Sequence, residues 1–534
     1  MSFFYNSSFL VTEEFCNTLA LNRYTSKVKL KAGTLFKILS ICLLVSLSSP
    51  ASSQTFSKLI HKDGFAEWGN EILQLSEDSI IVVGSSLDYS VSNWKLSVLI
   101  FNKQGDILIR NDTLIDGLGY IPFNSLIHPD GKVYAFGELR RINPSLKNTA
   151  SALKISRKGV PLKVGYYPLQ GESRITGVNL SSDGNIWTIG ESRTFGVTNS
   201  DIIISKIDTG LNVLFSQQHG GTRDDRGFSI YQRSDDSLII GGWSKSYAKQ
   251  GHPIGNGDPV IWISDPIGNV GQIKNYGKRG PDGSIVFYEY DGTFFYGSCA
   301  IDTMTAPRIT VDWPYESFFF KCDESGNLQW RVFMSAKDGL ARQTTDVKFS
   351  KDSSVVYVLS ECVSAVVFLA AVDTNGNLLW ERYFYADTVS GGINYARSLM
   401  VDDEGFIWLT GSATLAYGSI GRSNDLWVAR LDSMGCLEPG CHLTGIQDLP
   451  SHTPFIVGPN PSNGSFTVMF EKPTELGSVI QIYDLQGKLV HKEVLDAGIW
   501  DHRLSTEGLA AGTYVLDISH DGQSIGSRKI EVQR

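Results

Sequence analysis

The sequence predicts an all-β protein: a seven-bladed β-propeller followed by a small Ig-like β-sandwich, behind an N-terminal targeting segment. Three observations carry that expectation. A strand-and-turn unit recurs seven times at steps of about 55 residues. Helix-period apolar patterning is nearly absent. The composition, with 53 Gly, 18 Pro and 11% aromatic residues among 534, suits many short strands joined by tight turns. With 42% hydrophobic and 19% charged residues, most of the chain can bury a core. Beyond residue 53 the chain holds 42 basic against 54 acidic residues, and no basic stripe is visible, so no nucleic-acid partner is expected.

Residues 1–53 read as an N-terminal extension and signal peptide. Lys27, Lys29, Lys31 and Lys37 precede an apolar run from Ile38 to Leu47, and Ser48-Ser49-Pro50-Ala51-Ser52-Ser53 follows. This mostly apolar run of ten residues is too short for a bilayer, which needs about 20, but it fits a signal-peptide core with cleavage near Ser53/Gln54. The thirty residues ahead of Lys31 are more than a signal peptide needs, which points to a start codon placed too early. No Cys follows the apolar run, which argues against a lipid anchor, and no other run predicts a transmembrane span.

Residues 54–440 carry the repeat. Its first half is an acidic or small turn, four to six mostly apolar residues, then Gly, ending at Gly84, Gly137, Gly190, Gly242, Gly297 and Gly411; the sixth copy has Ser360 instead. Its second half is strand, polar turn, Gly and strand, with turn glycines at Gly105, Gly159, Gly210, Gly268, Gly326, Gly376 and Gly435. One four-stranded sheet cannot bury both faces, and stacking seven around an axis does so. The last copy lacks a partner strand after Leu431. The stretch Thr55-Phe56-Ser57-Lys58-Leu59-Ile60 has that strand's character and is predicted to pair with it, removing an exposed edge.

Asp323-Glu324-Ser325-Gly326-Asn327-Leu328-Gln329-Trp330 and Asp373-Thr374-Asn375-Gly376-Asn377-Leu378-Leu379-Trp380 share Asp-x-x-Gly-x-x-x-Trp. This resembles the tryptophan-docking repeat of PQQ-like propellers, in two of seven copies, and implies shared blade geometry more than shared chemistry. The sialidase Asp-box spacing and the WD40 signature are absent.

Seven Cys occur, and the segment from Gly435 to Cys441 places Cys436 and Cys441 to close a small disulfide loop where the propeller hands over to a linker at 441–453. Five Cys remain after the targeting segment, so at least one thiol is unpaired.

Residues 454–534 form the second small domain. Pro459-Asn460-Pro461 precedes Gly464 and the strand Ser465-Phe466-Thr467-Val468. Then come Ile482-Tyr483-Asp484-Leu485-Gln486-Gly487-Lys488-Leu489-Val490, Leu509-Ala510-Ala511-Gly512-Thr513-Tyr514-Val515 and Lys529-Ile530-Glu531-Val532. Asn460 before a proline is pushed to extended backbone, and Gly487 and Gly512 sit where turns need permissive backbone. In this order, at the C-terminus, the four pieces resemble the type A C-terminal sorting domain of the type IX secretion system of Gram-negative bacteria. That resemblance marks Pro459, Asn460, Pro461, Gly464, Tyr483, Asp484, Gly487, Leu509, Gly512, Tyr514 and Lys529 as the sorting motif. It implies recognition by the type IX machinery at the outer membrane, and a protein that is extracellular or held at the cell surface.

Catalytic signatures are sparse, and no catalytic, cofactor or metal residues are assigned. Gly522-Gln523-Ser524-Ile525-Gly526 has nucleophile-elbow spacing but reads as a hairpin turn, not a strand–turn–helix. Asp373, Asn375 and Asn377 alternate like calcium ligands, yet Leu378 and Phe384 occupy the positions where a calcium loop needs Gly and Glu, so a turn is expected. Asp402-Asp403-Glu404 reads as a solvated turn. The connections 245–258 and 302–316 are the longest, and Trp313 with Tyr315 marks the second as a candidate ligand loop. The expectation is therefore a monomeric binding or display scaffold for a protein, peptide or glycan. The rival is a secreted hydrolase or lyase with its active site at the channel mouth, where converging Asp, Glu, His or Arg side chains are the mark to look for.

Overall fold

The computed structural model describes residues 55–140, 148–167, 172–193, 199–247, 257–277, 285–302, 315–334, 342–362, 367–384, 393–417, 421–438, 441 and 454–533. Residues 1–53, read above as a targeting segment, lie outside them. Every named element is a strand. Among the described residues no helix is long and apolar enough to cross a membrane.

Among the described residues up to Leu431 there are seven antiparallel sheets of four strands each. The first six, sheets I to VI, are built from consecutive strands within residues 65–113, 119–166, 172–219, 225–275, 285–333 and 342–384. Sheet VII joins Ile393–Val401, Ile407–Tyr417 and Gly421–Leu431 to the strand Phe56–Ile60, taken from the other end of the chain. Phe56 pairs with Arg430 and Ile60 with Leu426, so the closing strand predicted from sequence is in place. The first strand of each sheet packs on the first strand of the next, and that of sheet VII returns to sheet I. This closed cycle of sheets is a β-propeller.

Two sequence features acquire physical reasons here. In each sheet the first strand carries a β-bulge at an equivalent place, so one residue is extra: Asn70, Phe123, Thr176, Phe228, Tyr288, Thr345 and Arg397. The residue facing the position just before each bulge is the repeat's Gly, or Ser360 in sheet VI. A β-carbon on Gly411 would fall inside the van der Waals envelope of the Tyr395 carbonyl, and the equivalent clash at Gly84 is with Trp68. The recurring glycine is thus the space that a bulged neighbour requires.

The turn of the second half-repeat is held by its Asp. Asp373 Oδ1 accepts the N–H groups of Asn375 (2.9 Å) and Asn377 (2.8 Å), while Oδ2 accepts the Asn377 amide at 2.8 Å. These are the bonds of a side-chain-capped turn. An aromatic ring from the preceding sheet then lies on the turn. Trp330 covers Gly376 and donates its indole N–H to Thr374 O at 3.1 Å, and Trp380 covers Gly435. In sheet I the ring lying on Gly105 belongs to Phe56, so the closing strand supplies a docking aromatic as well as an edge.

One turn departs from the reading. The left-handed residue of sheet III is Leu211 (φ 62°), one position after Gly210. Its side chain is buried with Tyr134, Phe136 and Tyr167, and that packing holds it in a conformation leucine otherwise avoids. Asp402 is a correction as well. It is buried rather than solvated, accepting N–H bonds from Glu404, Phe406 and the Trp408 indole (each 2.9 Å) and pairing with buried Arg430 at 2.9 Å.

From Phe455 onward, a three-stranded sheet and a five-stranded sheet enclose a separate core. Phe455, Phe466, Val468 and Phe470 come from one sheet, and Ile480, Ile482, Leu516, Ile518 and Ile530 from the other. This sandwich rests on sheet V. Ile456 and Met469 share a core with Phe318 and Phe333, and Arg331 N–H donates to Glu471 O at 2.8 Å.

Candidate functional site

The bulged strands set up the site. The residue just after each bulge is Glu71, Asn124, Gly177, Ser229, Glu289, Asp346 or Ser398, and those of sheets V, VI, VII and I meet. Ser398 Oγ lies 2.7 Å from Glu71 Oε1 and 3.0 Å from Asp346 Oδ2, and it also receives the Ile72 N–H at 3.3 Å. Asp346 Oδ2 accepts the Leu399 N–H at 2.8 Å, and Oδ1 accepts from Val347 N at 2.8 Å and from Lys348 Nζ at 3.1 Å. Lys348 reaches on to Glu289 at 3.0 Å. Tyr231 donates its hydroxyl to Tyr288 O, and Tyr288 donates to Thr344 O at 2.8 Å.

The electrostatics follow from that packing. Burial, with the Asp346 charge added to it, pushes the Glu71 carboxyl up to about 8. Burial also raises Glu289, against the opposing pull of Lys348. For Lys348 burial works against the charge, but Asp346 and Glu289 outweigh it and hold the ammonium well above the ordinary lysine value. A proton count agrees. Ser398 has one hydroxyl hydrogen and two carboxyl neighbours. With Glu71 protonated, Glu71 donates to Ser398 and Ser398 donates to Asp346, and every oxygen has a partner. Near neutral pH Glu71 is a carboxylic acid, joined through the Ser398 hydroxyl to Asp346.

None of these residues was marked by sequence reasoning. The signal was present in Asn70-Glu71-Ile72, Tyr288-Glu289-Tyr290 and Asp346-Val347-Lys348: charge in the middle of the first strand of a repeat, where half-buried strands otherwise alternate apolar and neutral polar residues.

Of the candidate ligand loop, Trp313 lies outside the described residues and Tyr315 opens the strand Tyr315–Asp323. Cys436 and Cys441 are joined by a disulfide with their Cα atoms 5.7 Å apart. Ser524 lies in a strand–turn–strand hairpin, donating to Asp517 at 2.5 Å, which is not the setting of a nucleophile elbow. Among the described residues no three His, Cys, Asp or Glu side chains gather as a metal-ligating group.

Asn460, Pro461, Gly512 and Tyr514 of the C-terminal motif meet the last strand, Gln523–Gln533, which itself carries Lys529. Asn460 uses both ends of its amide there, donating to Lys529 O at 2.9 Å and accepting the Glu531 N–H at 2.7 Å. Pro461 delivers Ser462 and Asn463 into parallel pairing with Val532 and Gln533. Gly512 pairs with Val532 and Tyr514 with Ile530, and the Tyr514 hydroxyl returns to Ala510 O at 2.9 Å. Asp484 caps its own turn by accepting N–H bonds from Gln486 (3.0 Å) and Lys488 (2.9 Å), with Gly487 left-handed at φ 80°. Tyr483 sits beside it, opposite Val515, and Gly464 is left-handed at φ 81°. Leu509 is buried in the sandwich core, while Lys529 is exposed and pairs with Glu531 at 2.8 Å.

Residues 457–533 match the family of secretion system C-terminal sorting domains. The sandwich is thus a type IX sorting domain, and a sorting domain of this kind indicates export to the cell surface or the extracellular space. The match covers the sandwich and leaves the propeller outside it. Among solved structures the chain is similar to the β-propeller domain of the Trilobed protease from Pyrococcus furiosus, with 12% identity, 68% of this chain and 93% of that chain covered, and a TM-score of 0.40. It is also similar to the periplasmic gluconolactonase of Pseudomonas aeruginosa, with 11% identity, 70% and 98% covered, and a TM-score of 0.41. At those scores the likenesses carry no argument, and the fold rests on the sheet topology. No curated protein sequence matches the chain.

Proposed function

We propose that this chain is an exported seven-bladed β-propeller, carried across the outer membrane by an Ig-like sorting domain, with the propeller serving as a binding or display scaffold for a protein, peptide or glycan. What supports the export half is the family match over residues 457–533, together with the clamp by which Asn460 holds the terminal strand at Lys529 and Glu531. What supports a scaffold over an enzyme is the bonding of Asp346. Both of its oxygens are spent on Val347, Lys348, Ser398 and Leu399, so its carboxylate ties sheet VI to sheet VII and has little capacity left for a substrate.

The second reading, a hydrolase or lyase, draws on the acid and carboxylate pair of Glu71 and Asp346, which has the protonation of a general acid beside a base. An array of glycans and peptides incubated with the intact protein separates the two. Binding without product supports the scaffold. Turnover that Glu71→Gln abolishes establishes the hydrolase or lyase.

Fractionation of the host tests export. A chain ending at Leu449 and a full chain carrying Asn460→Ala are both expected to remain in the periplasm while the unaltered protein leaves it. If both reach the surface as the unaltered chain does, the sandwich is not the address.

A further inference from the structure

The sorting domain does not hang from the propeller as a tether. Lys472 Nζ reaches Asn377 Oδ1 in the sheet VI turn at 3.4 Å, and the backbone and guanidinium hydrogen bonds to sheet V fall on one strand, Leu328–Phe333, the outermost of that sheet. Arg331 there is buried, and its guanidinium donates through Nε to Phe470 O at 2.7 Å and through Nη2 to Trp500 O at 3.0 Å and Asp501 Oδ1 at 2.9 Å. The guanidinium also lies over the Phe318, Phe333 and Trp500 rings at 5.2–5.7 Å. Buried Glu471 takes the Phe333 N–H on Oε1 at 2.8 Å and the Arg331 N–H on its own carbonyl at 2.8 Å. Ile456 and Met469 complete a core with Phe318, Phe320 and Phe333. A buried, multiply bonded arginine inside an apolar ring has the make-up of a permanent interface and not of a passing contact.

The outer strands of sheets I, II, III and VI mark the contrast. There Ile107 and Leu108, Leu162 and Tyr166, Val213 and Leu214, and Leu379 and Tyr383 stay exposed. On sheet V the equivalent strand is buried from Trp330 to Phe333, with Gln329 left exposed. The sandwich, too, divides its work. The contacts to sheet V come from the three-stranded sheet and the residues flanking it, whereas Tyr483, Asp484, Gly512, Tyr514 and Lys529 of the sorting motif lie on the five-stranded sheet.

We infer that the outer edge of sheet V is a docking surface for the chain's own sorting domain, strong enough to hold that domain after the connection between the two has been cut. Cutting alone then does not part address from propeller, and a separate step is needed to pull the domain away. The inference concerns the interface only and holds whether or not the sandwich is read by export machinery.

The experiment uses the whole chain from Thr55, with a specific protease site inserted between residues 442 and 453. Both cysteines of the Cys436–Cys441 disulfide stay on the propeller side of such a cut, so no covalent link joins the pieces. After complete cleavage at micromolar concentration, size-exclusion chromatography is expected to return both pieces in one peak. Arg331→Ala is expected to weaken their association at least tenfold and split the peak. Trp500→Ala, on the sandwich side, serves as the second variant should Arg331→Ala fail to fold. Pieces of the unaltered sequence that elute separately overturn the inference, and so does co-elution that neither substitution weakens.

Discussion

Glu71 shows how a single proton ties into the fold. Its carboxyl is raised from an ordinary value of 4.5 to about 8. Below the ordinary value the folded and unfolded chains both hold the proton. Between the two values only the folded chain keeps it, so stability falls as pH rises, and the loss is complete above about 8. Asp346, Lys348, Ser398 and Ser125 act on the group, and Lys348, held by Asp346 and Glu289, stays charged throughout that window. Glu71→Gln keeps a donor for Ser398, an amide N–H in place of the carboxylic O–H, and removes the titration. The variant is expected to match the parent near pH 5 and to exceed it at pH 9, by something on the order of 1–3 kcal/mol. Thermal melts at both pH values check this, and equal pH slopes in the two proteins would refute the proton assignment. The repeat glycine offers a second test at this scale. Gly411→Ala drives a methyl into the Tyr395 carbonyl and is expected to cost about 1–3 kcal/mol. Ser360→Ala, in the copy that already carries a β-carbon, is expected to cost much less, as a denaturant titration of the two variants shows.

Among the elements, the closing strand is the one on which the ring depends. Phe56–Ile60 pairs along Gly421–Leu431, and Phe56 lies on the Gly105 turn with its ring 5.3 Å from that of Trp408, edge to face. Phe56→Ala is expected to destabilise the propeller by about 2–4 kcal/mol, near the lower part of the range for buried Phe because the ring is half-exposed. Removing residues 55–60 altogether bares the edge of Gly421–Leu431, and light scattering is expected to show association of the truncated chain. A monomeric truncation as stable as the parent would mean that sheet VII does not need its fourth strand. Much of this was legible in the sequence. The repeat, its turn glycines and the missing strand are local patterns or simple counts. Leu211 and the bulges were not legible, because each is decided by a neighbour. Leucine accepts φ 62° only because Tyr134 and Phe136 receive its side chain, and a bulge leaves no residue type of its own, only a glycine on the facing strand. Glu71, Asp346 and Ser398 were missed for the same reason, since strands more than 50 residues apart bring them together.

At the scale of the whole molecule, two sheets of one small sandwich face different tasks, and this can be tested by separating them. Arg331 contacts the sandwich through Phe470, Trp500 and Asp501, whereas Asn460 hydrogen-bonds to the terminal strand, at Lys529 and Glu531. The four motif segments were readable because each is short and contiguous. The interface was not, because Arg331 sits in an ordinary repeat strand and meets residues 139 to 170 positions away. Asn460→Ala removes two hydrogen bonds that anchor the motif and leaves sheet V covered. Its expected signature is lost export with the propeller's melting temperature unchanged. Arg331→Ala strips the buried anchor and leaves the motif intact, so its expected signature is retained export of a less stable protein, lowered by about 3–5 kcal/mol because Asp501 and the carbonyls of Phe470 and Trp500 lose their partner. Measuring secretion and melting temperature on both variants gives a two-by-two outcome. If Arg331→Ala also abolished secretion while remaining folded, the machinery would have to read the docked pair as a unit, and the two sheets of the sandwich would not be independent.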